Sequence, residues 1–168
     1  MLKYLSLIAC ALIIFSACKK AETPASRQEE MRGGKWRNSG GNVRLDWYGF
    51  HDTVHTYNVY LGLTGDTCKA DDYLVFQENY DGEQYGNTMT CISGEPEFVQ
   101  FRWQLFDDDN GIYFLNANET FLRESTVKAN FVNYTEGRFT IRYTRYDTSL
   151  IDNDYLDTTT FTQTFVKY

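Results

Sequence analysis

The side chains able to do chemistry are few and poorly matched to one another. His51 and His55 are the only histidines. Their four-residue spacing, with Asp52 between, would set two zinc ligands on one face of a helix. Here the pair falls where a turn leads into an extended run, so both read as surface histidines. Asp107, Asp109 and Gly111 share spacing with a calcium loop but lack its bidentate glutamate. A hairpin turn accounts for Asp107-Asp108-Asp109-Asn110-Gly111 as a whole. Asp152, Asp154 and Asp157 form a second acidic loop of the same kind. No Gly-x-Ser-x-Gly elbow occurs, and neither histidine has an evident serine or cysteine partner. The expectation is a non-catalytic protein without metal or cofactor.

The four cysteines, Cys10, Cys18, Cys68 and Cys91, take their meaning from the N-terminus. Lys3 precedes an apolar run from Tyr4 to Phe15, which the small residues Ser16 and Ala17 close before Cys18. That is a secretory-signal layout, too short and wrongly flanked for a spanning helix. Phe15-Ser16-Ala17-Cys18 resembles the lipobox of bacterial lipoproteins, in which the cysteine is lipidated and becomes the mature N-terminus. The resemblance implies a signal peptide over 1–17, lipid on Cys18, and a lipid bilayer as partner through the acyl anchor. Each buried methylene of such an anchor contributes about 0.8 kcal/mol. Lys19 stands where some Gram-negative bacteria place an inner-membrane retention aspartate, which implies the outer membrane or cell surface, with its periplasmic face the alternative. Cys10 then leaves with the signal and Cys18 carries lipid. Cys68 and Cys91 remain as the expected disulfide of an oxidising envelope, worth roughly 3 kcal/mol by loop closure.

The 168 residues carry 16 Lys+Arg against 23 Asp+Glu, a formal net charge of −7. Loss of Lys3 with the signal makes the mature chain more acidic still. An acidic surface argues against nucleic acid and anionic headgroups as partners. The domain is expected to act as a monomer.

Residues 18–32 are polar and read as a flexible tether with at most a weak helical turn near 29–32. From Gly33 to Tyr168 the texture is that of strands, rich in Tyr, Phe, Thr and Val. Strands are expected at 43–47 and 57–63 across a turn at 49–52, and at 73–77 before a turn at Asp81-Gly82. Further strands are expected at 98–106, 112–116, near 127–131, near 138–143 and at 158–168. Val99, Phe101, Trp103 and Leu105 should face one way and Gln100, Arg102 and Gln104 the other. Val127, Ala129 and Phe131, then Phe139, Ile141 and Tyr143, repeat the alternation. About eight to ten strands with short turns make an all-β antiparallel up-and-down barrel or a sandwich.

Two features select between these. Gly34-Lys35-Trp36 matches the Gly-x-Trp that opens lipocalin barrels. Cys68-Lys69-Ala70-Asp71-Asp72-Tyr73-Leu74-Val75-Phe76 is followed by Asp81-Gly82, Cys91 and Phe101-Arg102-Trp103-Gln104-Leu105. That order resembles the lipocalin-like domain of Gram-negative bacterial lipoproteins, over roughly residues 33–168. The resemblance implies a lipocalin-like β-barrel and a lipid-anchored binding module with no catalytic residues to carry over. Lys167 is the nearest counterpart of the C-terminal arginine that covers the first tryptophan of a lipocalin. A Thr-Asp-Tyr element is not visible.

The expected role is non-catalytic binding of a small apolar or amphipathic molecule in the barrel mouth, with residues 38–42 and 150–157 as loops around the entrance. Trp36, Phe101, Trp103, Phe139 and Tyr143 are the aromatic candidates, as ligand contacts or as core. The alternative is a surface module that binds glycan or protein on a filled barrel, with exposed aromatics on one open face. A third reading is a structural accessory lipoprotein with no ligand of its own. An aromatic-lined cavity of several hundred Å³ would mark the first of these.

Overall fold

A computed structural model of the chain describes residues 26–47, 50–57, 71–86, 96–117, 120, 122, 124–148 and 156–168. The signal segment, Cys18, Cys68, Cys91, the expected strand residues 58–63 and most of the acidic loop at 150–157 lie outside the described residues.

Among the described residues one short helix, α1 (Arg27–Arg32), precedes nine strands. They are β1 (Lys35–Trp47), β2 (Phe50–Tyr57), β3 (Tyr73–Phe76), β4 (Asp81–Tyr85), β5 (Phe98–Phe106), β6 (Gly111–Ala117), β7 (Glu124–Thr135), β8 (Arg138–Thr148) and β9 (Leu156–Lys167). Every pairing is antiparallel. β1 pairs with β9 along one edge; its other edge is shared, Lys35–Arg37 by β3 and Gly41–Trp47 by β2. β1 and β3 to β9 therefore close an eight-stranded up-and-down barrel, and β2 lies beside the upper part of β1. The expected all-β barrel is the observed fold.

Alternation sets the inside of the wall. Phe101 and Trp103 of β5, Ile112 and Phe114 of β6, Val127 and Ala129 of β7, Phe139, Ile141 and Tyr143 of β8, and Phe161 and Phe165 of β9 are all buried. The rings meet edge to face or offset, as the aromatic quadrupole favours. Phe76 lies 5.1 Å from Trp103 and 5.9 Å from Phe101, and Phe139 lies 4.8 Å from Phe165 and 4.9 Å from Trp36. Each such fully buried ring contributes about 1.5–3 kcal/mol.

Three elements depart from the sequence reading. The expected tether ends in a structured helix: Ser26 and Glu29 form a reciprocal capping box at the start of α1, and Met31 is fully buried. The indole Nε1 of Trp36 donates to the Met31 carbonyl at 2.7 Å, and the Gly137 amide donates to Glu30 Oε1 at 2.6 Å. These contacts fasten α1 over the end of the barrel that carries the turns at 77–80, 107–110 and 136–137. Second, Asp81-Gly82 is no turn. The chain reverses through Glu78–Tyr80, with Asn79 and Tyr80 at φ 59° and 65°, and Asp81-Gly82 begins β4. Gly82 is there for packing: the Phe101 ring lies against it, and a Cβ would come within 2.4 Å of that ring.

Third, residues 38–42 are not a loop but the middle of β1, and Phe50, His51 and Asp52 belong to β2 rather than to a turn. A bulge between Asn38 and Gly40 disguises the strand, because it reverses which residues face inward. Trp36 and Asn38 are buried before it, and Val43 after it. Asn38 Oδ1 accepts from the Gly40 amide at 2.8 Å and pins the bulge.

Candidate functional site

The five aromatic candidates are core residues. Trp36, Trp103 and Phe139 are fully buried, Phe101 nearly so, and Tyr143 is 7% exposed. Trp103 satisfies its Nε1 on the Asp81 carbonyl at 2.9 Å. Tyr143 belongs to a buried polar chain: Asn38 Nδ2 donates to Gln163 Oε1 at 3.4 Å, and Gln163 Nε2 donates to the Tyr143 hydroxyl at 3.1 Å. Burial, foremost, pushes the Tyr143 phenol well above its ordinary range.

One marked concavity is on the outside of the barrel. A groove of about 550 Å³ is lined by Asn42, Arg44, Asp46, Arg142, Thr144, Thr158, Thr160 and Thr162. All of these alternate with the inward-facing residues of β1, β8 and β9. Strand register arranges them in rows. Asn42, Thr162 and Arg142 lie abreast, then Arg44, Thr160 and Thr144, then Asp46, Thr158 and Tyr146. A barrel wall is convex, so a groove there needs a cause, and side-chain length supplies it. β9 contributes short threonines as the floor, while the longer Arg44 and Arg142 rise from the strands on either side.

The floor is ordered. Thr144 and Thr160 share a hydroxyl hydrogen bond at 3.1 Å, and Thr140 and Thr164 another at 2.9 Å. Each hydroxyl keeps further donor or acceptor capacity. Above the last row stands Tyr146, 64% exposed, with Leu156 also exposed nearby at the start of β9. On the inward parity of the same rim, Arg145 is held by Asp147 at 2.8 Å and by Glu124 at 3.6 Å.

Two other surfaces compete with this one. A smaller groove of about 310 Å³ runs over Gln77, Asp81, Gly82, Glu83, Gln100 and Arg102. Its polar groups are largely engaged with one another: Glu83 accepts from Gln77 Nε2 at 2.6 Å and from the Tyr85 hydroxyl at 2.7 Å, and Arg102 pairs with Asp81 at 3.6 Å. The bond to Glu83 is the main reason the Tyr85 phenol is raised.

The second is an aromatic ladder of Tyr168, Tyr73, Tyr85 and Phe98, with successive rings 6.0, 5.2 and 5.5 Å apart. Tyr73 and Tyr85 stack nearly parallel, and the ammonium of Lys35 lies 4.3 Å from the Tyr73 ring. Those ring faces are therefore occupied by neighbours, which suits sheet stabilisation more than ligand stacking.

Sequence reasoning missed the groove, although a signal existed. Thr158, Thr160, Thr162 and Thr164 alternate with Thr159, Phe161, Gln163 and Phe165, which puts four threonines in succession on one face of the last strand. Asp107, Asp108 and Asp109 form the β5–β6 turn, all three at positive φ. Among the described residues no three His, Cys, Asp or Glu side chains gather as a metal site. Comparison with known proteins finds no matching family, no matching curated protein and no matching solved structure.

Proposed function

We propose that this protein is a membrane-anchored, non-catalytic lipoprotein that captures a saccharide on the outer wall of a filled lipocalin-like barrel. The threonine-floored groove carries the reading. Sugars offer hydroxyls that both donate and accept, and the groove answers with threonine hydroxyls, an amide, two guanidiniums and a carboxylate. Tyr146 adds an exposed ring at one end, suited to the apolar face of a pyranose. The turn end of the barrel interior is taken up by Trp36, Phe76, Trp103, Phe139 and Phe165.

The anchor fits this arrangement. An acyl group on Cys18 would be joined to Ser26 by at most about 28 Å of extended chain. Because α1 lies across the turn end, that end would be held near the bilayer. The wall of β1, β9 and β8 would stand away from it.

A small amphipathic molecule inside the barrel is the second reading. It is favoured by the Asn38–Gln163–Tyr143 chain, a polar track among the buried side chains of the wall. Native mass spectrometry and a glycan array on the detergent-extracted chain separate the two. Capture of glycans with no co-purifying small molecule supports the groove; a stoichiometric small ligand with a blank array supports the interior.

A further inference from the structure

The groove's charge runs against that of the protein. The chain carries a formal −7, yet the groove lining holds two arginines and one aspartate. Arg44 and Arg142 rise from strands on opposite sides of β9, one row apart along it, about 12 Å from each other by strand spacing and rise. Arg142 is exposed and makes no ion pair among the described residues. Arg44 and Asp46 have partners of their own, and only their positions on the bank matter here.

The charges are also ordered along the groove. Arg142 lies in the row of Asn42 and Thr162, whereas Asp46 lies two rows away with Thr158 and Tyr146. Four residues of strand separate these rows, about 13 Å. One end therefore suits a carboxylate and the other suits sugar hydroxyls that donate.

From this we infer that the saccharide is acidic, a uronate- or sialate-type sugar whose carboxylate is held by the Arg142 guanidinium. Its ring hydroxyls lie on Thr160 and Thr162 and donate toward Asp46. Arginine suits the task because its planar fork meets both carboxylate oxygens at once. The inference rests on the groove being the saccharide site.

The test is calorimetric titration of the detergent-extracted full chain with a panel of uronate and sialate oligosaccharides, each beside its methyl ester. Esterification keeps the sugar and its linkages and removes only the charge. The expected result is acid binding about ten- to a hundredfold tighter than the ester, the range of one charge-assisted contact. Salt should narrow that ratio. Arg142→Gln should bring acid and ester to parity, and Thr160→Val should weaken both forms alike. Equal binding of acid and ester, or a ratio that Arg142→Gln leaves unchanged, overturns the acidic class and leaves the groove standing. No binding by any acid, ester or neutral glycan overturns the saccharide reading itself.

Discussion

Lys167 lies across Trp36. The two residues are direct partners in the β1–β9 pairing, and the Lys167 ammonium sits 5.9 Å from the centroid of the Trp36 ring. Its stem passes so close over Gly34 that a Cβ there would lie 2.3 Å from Lys167 Cε. The Gly-x-Trp spacing thus has a packing reason: the glycine makes room for the chain that covers the indole. Lys167→Ala should lose about 1 kcal/mol in urea unfolding, from the cation–π contact and stem burial together. Gly34→Ala should be harmful in the native sequence and nearly silent once Lys167 is alanine. Additive losses in that double-mutant cycle would contradict the contact.

The helix over the turn end should open locally before the barrel unfolds. Ser26 Oγ accepts from the Glu29 amide at 3.2 Å, and the Arg27 guanidinium lies 4.4 Å from the Tyr134 ring and 4.9 Å from the Phe131 ring. Removing the cap with Ser26→Ala costs about 1 kcal/mol. Hydrogen exchange at the Glu30 and Gly33 amides should then quicken about fivefold, with β5 and β8 unchanged. Faster exchange throughout the barrel would show that α1 is integral to the core rather than a local unit.

Alkali should unfold the protein cooperatively. Burial, foremost, raises the phenols of both Tyr134 and Tyr143 above the unfolded value of about 10. A group whose folded pKa is raised contributes stability that is complete below its unfolded pKa and declines as pH climbs beyond it. Stability should therefore fall above about pH 10. Part of the phenolate absorbance should appear with the loss of fold rather than before it. Tyr143→Phe should make the alkaline fall shallower while costing about 1 kcal/mol at neutral pH through the lost Gln163 bond. Smooth titration of every tyrosine in the folded protein would contradict the burial.

The proposed Cys68–Cys91 disulfide has its own test. Alkylation of the folded, non-reduced protein should label neither residue, and labelling of both should follow reduction. Removing the bond should lower stability by roughly 3 kcal/mol. Modification of either cysteine without reductant would rule the bond out.

Strand alternation made the wall legible from sequence. Phe101 and Trp103, then Phe139, Ile141 and Tyr143, are buried as their spacing indicates. What stayed hidden has local causes. The bulge after Asn38 breaks the period of two, so β1 reads as a loop followed by a short strand. Gly82 looks like turn chemistry until the Phe101 ring is seen against it. α1 is only six residues long, and most of what holds it comes from residues more than a hundred positions away, such as Tyr134 and Gly137. The groove escaped notice because threonine is an ordinary strand residue. Its meaning comes from what β1 and β8 set on either side of β9.

Glycan capture by a chain carrying both Thr160→Val and Thr162→Val reads whether the threonine floor of the groove holds the sugar. Valine preserves the shape and strand propensity of threonine and removes only the hydroxyl, so the urea midpoint should fall by no more than the lost Thr144–Thr160 bond accounts for, about 1 kcal/mol, while capture is lost. Undiminished capture by this folded double variant would place the binding surface elsewhere on the molecule.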